Sequence, residues 1–242
     1  MSENQEELIH PALKQVFGGA FAYILHYRKT LLQALFIPFI VYIVSALIKL
    51  LFYYQAYLSS SLLINILFSL TGLAAQVIFA IVTHRIVILG PQSVGPWGIT
   101  SWSKRETTFV IYFLLLWVLI VILITLFSFH PYVTLIALLL VLWYSSRLFL
   151  VFPAIAIDKK ISFRESWELT RKCHLFIFLV VVVFPILLAV PNYLTSFLPY
   201  TYFIDLFLTP LILVFEIAAL SLTYKMITDI ANSDSSIGVS LS

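Results

Sequence analysis

Charge is scarce in this sequence. Asp, Glu, Lys and Arg make up 10% of 242 residues, where a soluble domain carries about 25%. So few charges cannot build a water-facing surface, and a soluble globular fold is excluded. Cysteine is nearly absent too, and the lone Cys173 rules out an intrachain disulfide. The 7 glycines include no Walker A, G-x-G-x-x-G or G-x-S-x-G pattern, so the usual phosphate cradles and nucleophile elbow are missing. His10, His26, His84, His130 and His174 are scattered, without the H-x-x-x-H or H-E-x-x-H spacing that brings two imidazoles to one metal. Cys173 and His174 are adjacent, but helical neighbours point about 100° apart, which suits a nucleophile and base poorly. The expectation is a protein that is not an enzyme and uses no metal or cofactor.

What is present is hydrocarbon: 62% of residues are hydrophobic and 16% aromatic. Six apolar runs reach the ~20 residues that cross a bilayer: 31–51, 62–83, 107–127, 132–157, 175–198 and 202–227. The expected fold class is an all-α integral membrane protein with six transmembrane helices. Pro185 and Pro191 predict a break in the fifth span, and Pro38 a bend in the first. The N-terminal segment is acidic and polar, unlike the basic start of a cleavable signal, so the first span is expected to be retained.

Basic residues set the orientation. Lys14, Arg28 and Lys29 precede span one, and Arg85, Lys104 and Arg105 join spans two and three. Arg147, Lys159, Lys160, Arg164, Arg171 and Lys172 surround the link between spans four and five, and Lys225 ends span six. All lie on one side once the spans alternate, with only Lys49 opposite. Positive charge stays in the cytoplasm, so both termini are expected there. The formal net charge of +3 is too small to suggest nucleic acid.

Two amphipathic stretches are expected at the cytoplasmic interface. In the first, Leu13, Val16, Phe17, Ala20, Ile24 and Tyr27 recur at helical spacing opposite Lys14, Gln15, His26 and Lys29. The second is SFRESWELTRKCH, residues 162–174. Its Phe163, Ser166, Trp167, Thr170 and His174 share one face, while Arg164, Glu165, Glu168, Arg171 and Lys172 share the other. Ser162 and Glu165 have capping-box spacing, so the helix should begin near Phe163. Trp167 is expected at headgroup depth. The domain reading is a cytoplasmic segment 1–30, a membrane domain 31–228 that includes the helix 162–174, and a disordered tail 229–242.

The string RLFLVFPAIAIDKKISFRESWELT, from Arg147 to Thr170, has the form R-L-x-L-x-x-P-A followed by E-S-W-x-x-T. HRIVILG, from His84 to Gly90, closes span two. These motifs resemble those of uncharacterised bacterial multi-pass inner-membrane proteins, and the first is similar to one in the glycerophosphodiester phosphodiesterase membrane-domain family. The resemblance implies the bacterial inner membrane and a six-span layout. It implies little about activity, and phosphodiesterase chemistry does not carry over, since the chain shows no such domain. Arg85–Pro91 and Arg147–Pro153 share R-x5-P spacing, which suggests a degenerate repeat of helical hairpins.

Two charges fall deep in the apolar runs. Arg147 and Glu216 each lie about ten residues from the cytoplasmic end of a span, some ~15 Å inward. An unpaired charge there is expensive, about 2.5–3.5 kcal/mol on insertion scales. They are therefore expected to pair across spans four and six, with Gln76 as a third member. The first functional expectation is a non-enzymatic scaffold that binds membrane lipids, protein partners or further copies of itself. Arg85, Lys104, Arg105, Arg164, Trp167, Arg171 and Lys172 would meet anionic headgroups. The alternative is a small transporter or permease-like subunit with a polar path along Arg147, Glu216 and Gln76.

Overall fold

The computed structural model describes residues 3–54, 62–98, 102–197 and 201–239, with side chains from 12–51, 66–98, 102–197 and 201–231. Every regular element among these residues is helical: α1 (Glu3–His26), α2 (Arg28–Tyr54), α3 (Leu62–Leu89), α4 (Lys104–Leu126), α5 (Pro131–Ser145), α6 (Val151–Ala156), α7 (Phe163–Leu169), α8 (His174–Phe178), α9 (Phe184–Thr195) and α10 (Thr201–Val239). Among the described residues six segments are long and apolar enough to cross a membrane: Arg28–Leu51, Ile66–Leu89, Lys104–Leu126, Pro131–Ala156, His174–Thr195 and Thr201–Ala231. They match the six expected runs to within a few residues. Leu198, the expected end of span five, lies outside the described residues.

Two spans are compound, each next to a proline. In span four α5 passes through a 3-10 turn at Ser146–Leu148 into α6. Pro153 lacks the N–H that would bond the Phe149 carbonyl, so the helix cannot run through unbroken. In span five a π-helical turn, Leu179–Val183, separates α8 from α9, directly before Pro185. A wider turn takes up the ring and the lost donor there, the break expected from sequence.

The core runs along α2, α3, α6, α8 and α10, with Ile86, Leu150, Ala154, Ile177 and Ala218 fully buried. α4 and α5 stand outward, with Ile111, Leu115 and Ile122 of α4 and Ile136 and Leu139 of α5 exposed. In water these faces would drive aggregation. In lipid they are the ordinary outer surface.

α1 departs from its expected role. Val16, Ala20 and Ile24 are buried against protein. Phe17 stacks on Phe184 at 4.2 Å, the Tyr23 hydroxyl donates to the Ile86 carbonyl at 2.6 Å, and a Cβ on Gly19 would sit 3.3 Å from Leu222 Cδ1. The apolar face assigned to lipid is thus packed largely on α10. An amphipathic pattern records that one face avoids water, not what covers it. The tail differs as well. α10 continues as helix from 229 to Val239. Residues 240–242 lie outside the described residues.

Pro38 sits inside α2 and cannot bond the Ala34 carbonyl one turn back. Gly98, at φ +63, closes on that carbonyl so tightly that a Cβ would lie 1.9 Å from the Ala34 oxygen. Trp97 beside it, at φ 66, packs edge-on to Phe36 at 5.7 Å. Gly98→Ala is expected to destabilise the protein by about 2–3 kcal/mol, from left-handed strain plus displaced backbone. Thermal unfolding in detergent is the check, and an unchanged midpoint would mean the loop is not held against α2.

Candidate functional site

The sequence motifs converge on one end of the bundle, where they work as locks. Arg147 lies on the 3-10 turn and is 8% exposed. Its Nε donates to Thr170 Oγ1 at 3.1 Å and its Nη2 to the Trp167 carbonyl at 2.5 Å. The guanidinium lies 3.7 Å from the centre of the Trp167 ring, and Tyr144 stacks on that ring from α5 at 6.1 Å. Ser166 returns a bond, donating to the Arg147 carbonyl at 2.7 Å. Arg147, Ser166, Trp167 and Thr170, four of the marked letters of the longer motif, thus form one contact that clamps α7 onto the break in span four.

α7 begins where its capping box predicts. Ser162 Oγ accepts from the Glu165 N–H at 3.2 Å, and the Glu165 carboxylate accepts from the Ser162 N–H at 2.6 Å. That N–H, with the Ser162 hydroxyl, holds the Glu165 carboxyl below the usual carboxylate range. Ser166 and Thr170 point inward while Arg164, Glu168, Arg171 and Lys172 are exposed, as the face assignment requires. The stretch is two helices, however. α7 ends at Leu169, and His174 opens α8, where its Nε2 lies 2.8 Å from the Trp143 carbonyl.

The shorter motif builds a second lock. His84 is 1% exposed and its Nδ1 lies 2.7 Å from Ser221 Oγ, joining α3 to α10. Arg85 donates to the Ser93 carbonyl at 3.2 Å, the Ala156 carbonyl at 3.1 Å and Asp158 Oδ2 at 2.7 Å. Asp158 also takes Arg105 at 3.3 Å, while Arg105 pairs with Glu106 at 2.7 Å. Asp158 has φ 62, a left-handed conformation that aspartate tolerates better than most residues. The two R-x5-P elements are not locally alike. Arg85 is within α3 and Pro91 starts a 3-10 turn, whereas Arg147 is in a 3-10 turn and Pro153 is within α6.

The expected intramembrane pair does not form. Arg147 is satisfied by Thr170 and Trp167. Glu216 is half-buried on α10 and makes no salt bridge among the described residues. Gln76 is exposed on the outer face of α3. The broken span sets α7 against Arg147, where Thr170 and the Trp167 carbonyl take the donors that a carboxylate on α10 would have met. Of the residues expected at headgroups, Lys104, Arg164, Arg171 and Lys172 are exposed. Arg85, Arg105 and Trp167 are instead held in the internal contacts above. Asp158 and Glu106 are not among the residues expected from sequence, and Lys159 and Lys160 enter only through the charge bias that sets the orientation. The pairing of Asp158 was hidden by the 73 residues that separate it from Arg85.

Beside the first lock lies a half-open groove of about 1340 Å³ between α1, the segment 159–176 and the end of α10. Lys159, Lys160, Arg171 and Lys172 line it with Glu165 and Glu168, and Leu169, Phe176, Tyr224 and Ile227 supply apolar wall. Glu216 does not line it. Cys173 faces the groove, and burial pushes its thiol up to about 11 with Arg147 opposing. Because the thiolate is the reactive form, maleimide alkylation at pH 8 is expected to run about a hundredfold slower than for an ordinary thiol. It should gain about tenfold per pH unit up to about 11. A rate that levels off near pH 9 would contradict the burial.

No family model, curated protein or solved structure matches the chain.

Proposed function

We propose that the chain is a non-enzymatic multi-pass protein of a bacterial inner membrane, with both termini cytoplasmic, that serves as a rigid basic platform for anionic lipid headgroups. One observation carries the reading. The charges of the frame, Arg85, Arg105, Glu106, Asp158 and Arg147, are satisfied internally, while Lys104, Arg164, Arg171 and Lys172 face outward at the same end. Each basic residue near an anionic surface contributes about 1 kcal/mol, and the basic excess at this end supports a cytoplasmic orientation. Protein partners or further copies of the chain would use the same face.

The test uses Lys104→Cys and Lys160→Cys, each with Cys173→Ser. A membrane-impermeant maleimide should label both in inverted vesicles and neither in intact cells. Labelling in intact cells overturns the orientation and the platform with it. A second reading, a small transporter or permease-like subunit, draws on Glu216, a carboxylate within span six that has no salt bridge among the described residues. Solute flux in proteoliposomes that Glu216→Gln abolishes would favour it.

A further inference from the structure

The groove beside α7 has two unlike parts that one amphiphile would satisfy together. Its rim carries four basic residues, Lys159, Lys160, Arg171 and Lys172, against Glu165 and Glu168. Glu165 keeps its charge within the Ser162 cap and Glu168 lies 3.1 Å from Arg164, so the four basic side chains outnumber the two acidic ones. Lys159, Lys160 and Arg171 form no salt bridge among the described residues, although Lys159 approaches the Tyr224 ring at 6.0 Å. The rim therefore presents net positive charge. Leu169, Phe176, Tyr224 and Ile227 form the apolar wall, which a purely polar solute would leave wet.

We propose that this groove binds a single anionic phospholipid of the cytoplasmic leaflet, its phosphate held by Lys159, Lys160 and Arg171 and an acyl chain laid along Leu169, Phe176, Tyr224 and Ile227. The inference rests on the cytoplasmic orientation proposed above. Depth supports it, because the groove is lined by the first residues of span five, His174 and Leu175, and the last of span six, Ile230 and Ala231. Headgroups meet acyl chains at that level. Rigidity supports it as well. Arg147 clamps α7 to span four, so the backbone that leads to Arg171 is fixed before the ligand arrives and mainly side chains are ordered on binding. A concave site suits a chain-like ligand better than a flat protein partner, which needs roughly 800 Å² per side.

The experiment is native mass spectrometry of the detergent-solubilised full chain. It is titrated with dioleoyl-phosphatidylglycerol, with dioleoyl-phosphatidylcholine, and with soluble glycerol 3-phosphate. The wild type should retain one phosphatidylglycerol in preference to phosphatidylcholine. Lys160→Ala with Arg171→Ala should weaken that first binding event about thirtyfold, and Lys49→Ala at the opposite end should not. Phosphatidylglycerol should also slow alkylation of Cys173 at fixed pH several-fold. Both rim residues are exposed, and an unchanged melting temperature of the double variant shows that it folds.

The outcomes separate cleanly. No preference for phosphatidylglycerol in the wild type sinks the platform and the groove together. A preference that survives the double variant, but falls when Lys104 and Arg164 are replaced by Ala, keeps the platform and overturns the groove. Glycerol 3-phosphate binding as tightly as the lipid overturns the acyl-chain site. A dimer that the double variant dissociates assigns the groove to a second copy and overturns the lipid. Cys173 alkylation unaffected by lipid also overturns it.

Discussion

Arg147→Ala is expected to destabilise the protein by about 3–4 kcal/mol, and Arg147→Lys to recover less than half of that. The guanidinium does three things at once. It donates Nε to Thr170, donates Nη2 to a backbone carbonyl, and sits over the Trp167 ring. A hydrogen bond from a charged donor contributes about 1.5–3 kcal/mol, and a cation–π contact about 0.5–2 kcal/mol more. Desolvation of the buried charge offsets part of the sum. Lysine supplies a charge but no planar fork, so it cannot reach Thr170 and Trp167 together while covering the ring. Unfolding in detergent gives the magnitude, and limited proteolysis gives the location. Loss of the clamp should raise cleavage within 158–172 first, because α7 is short and exposed on one side. Trp167→Phe keeps a ring under the guanidinium and should cost less than Trp167→Ala. A second measurement decides where the charge is neutralised. Since Arg147 and Glu216 form no salt bridge with each other, the effects of Arg147→Gln and Glu216→Gln should add to within about 0.5 kcal/mol. Rescue of one by the other would restore the cross-span pair.

The same residues show what a sequence discloses and what it conceals. The six spans are visible because lipid selects for length and apolarity, which are properties of a segment alone. The start of α7 is visible because a capping box is a local device, complete within Ser162 to Glu165. Pairing Arg147 with Glu216 assumes an unbroken helix across span four, and the break is what the apolar run does not disclose. The 3-10 turn lets α7 fold onto the arginine, and the main acceptor is a backbone carbonyl, which no letter of the sequence marks. For the same reason the conspicuous aromatic Trp167 reads as a lipid anchor but covers an arginine. Asp158 joins Arg85 and Arg105 only after three spans are assembled. α1 gives the subtlest case, since its pattern is identical whether the apolar stripe meets hydrocarbon tails or Ala218 and Leu222.

Arg105→Ala should cost about 2–4 kcal/mol, and Glu106→Gln on top of it should return at least half. Glu106 is 2% exposed, so its charge relies on neighbours. Arg105 gives it Nε at 3.0 Å and Nη2 at 2.7 Å, and Ser103 gives its N–H at 2.8 Å together with its hydroxyl. Removing the arginine leaves a carboxylate out of water with only the cap donors, the situation in which breaking one half of a buried pair is strongly destabilising. Neutralising the acid as well removes the stranded charge and leaves an amide whose oxygen can still accept from Ser103. The single loss is therefore mostly the penalty of an orphaned charge. Asp158 buffers the effect slightly, since it keeps Arg85 at 2.7 Å when Arg105 is gone. Arg164–Glu168 provides the contrast within the same protein. It has comparable geometry at 3.1 Å, but its side chains are 89% and 62% exposed. Such a pair contributes about 0.3–0.5 kcal/mol. Arg164→Ala should barely move the unfolding midpoint, and 1 M salt should erase what little it does. The Arg105 effect should survive that salt, because Arg105 and Glu106 are largely shielded from counterions, their side chains being 16% and 2% exposed. Equal losses for the two arginines, or strict additivity of Arg105→Ala with Glu106→Gln, would mean that the Glu106 carboxylate is solvated and that the end of span three is open to water.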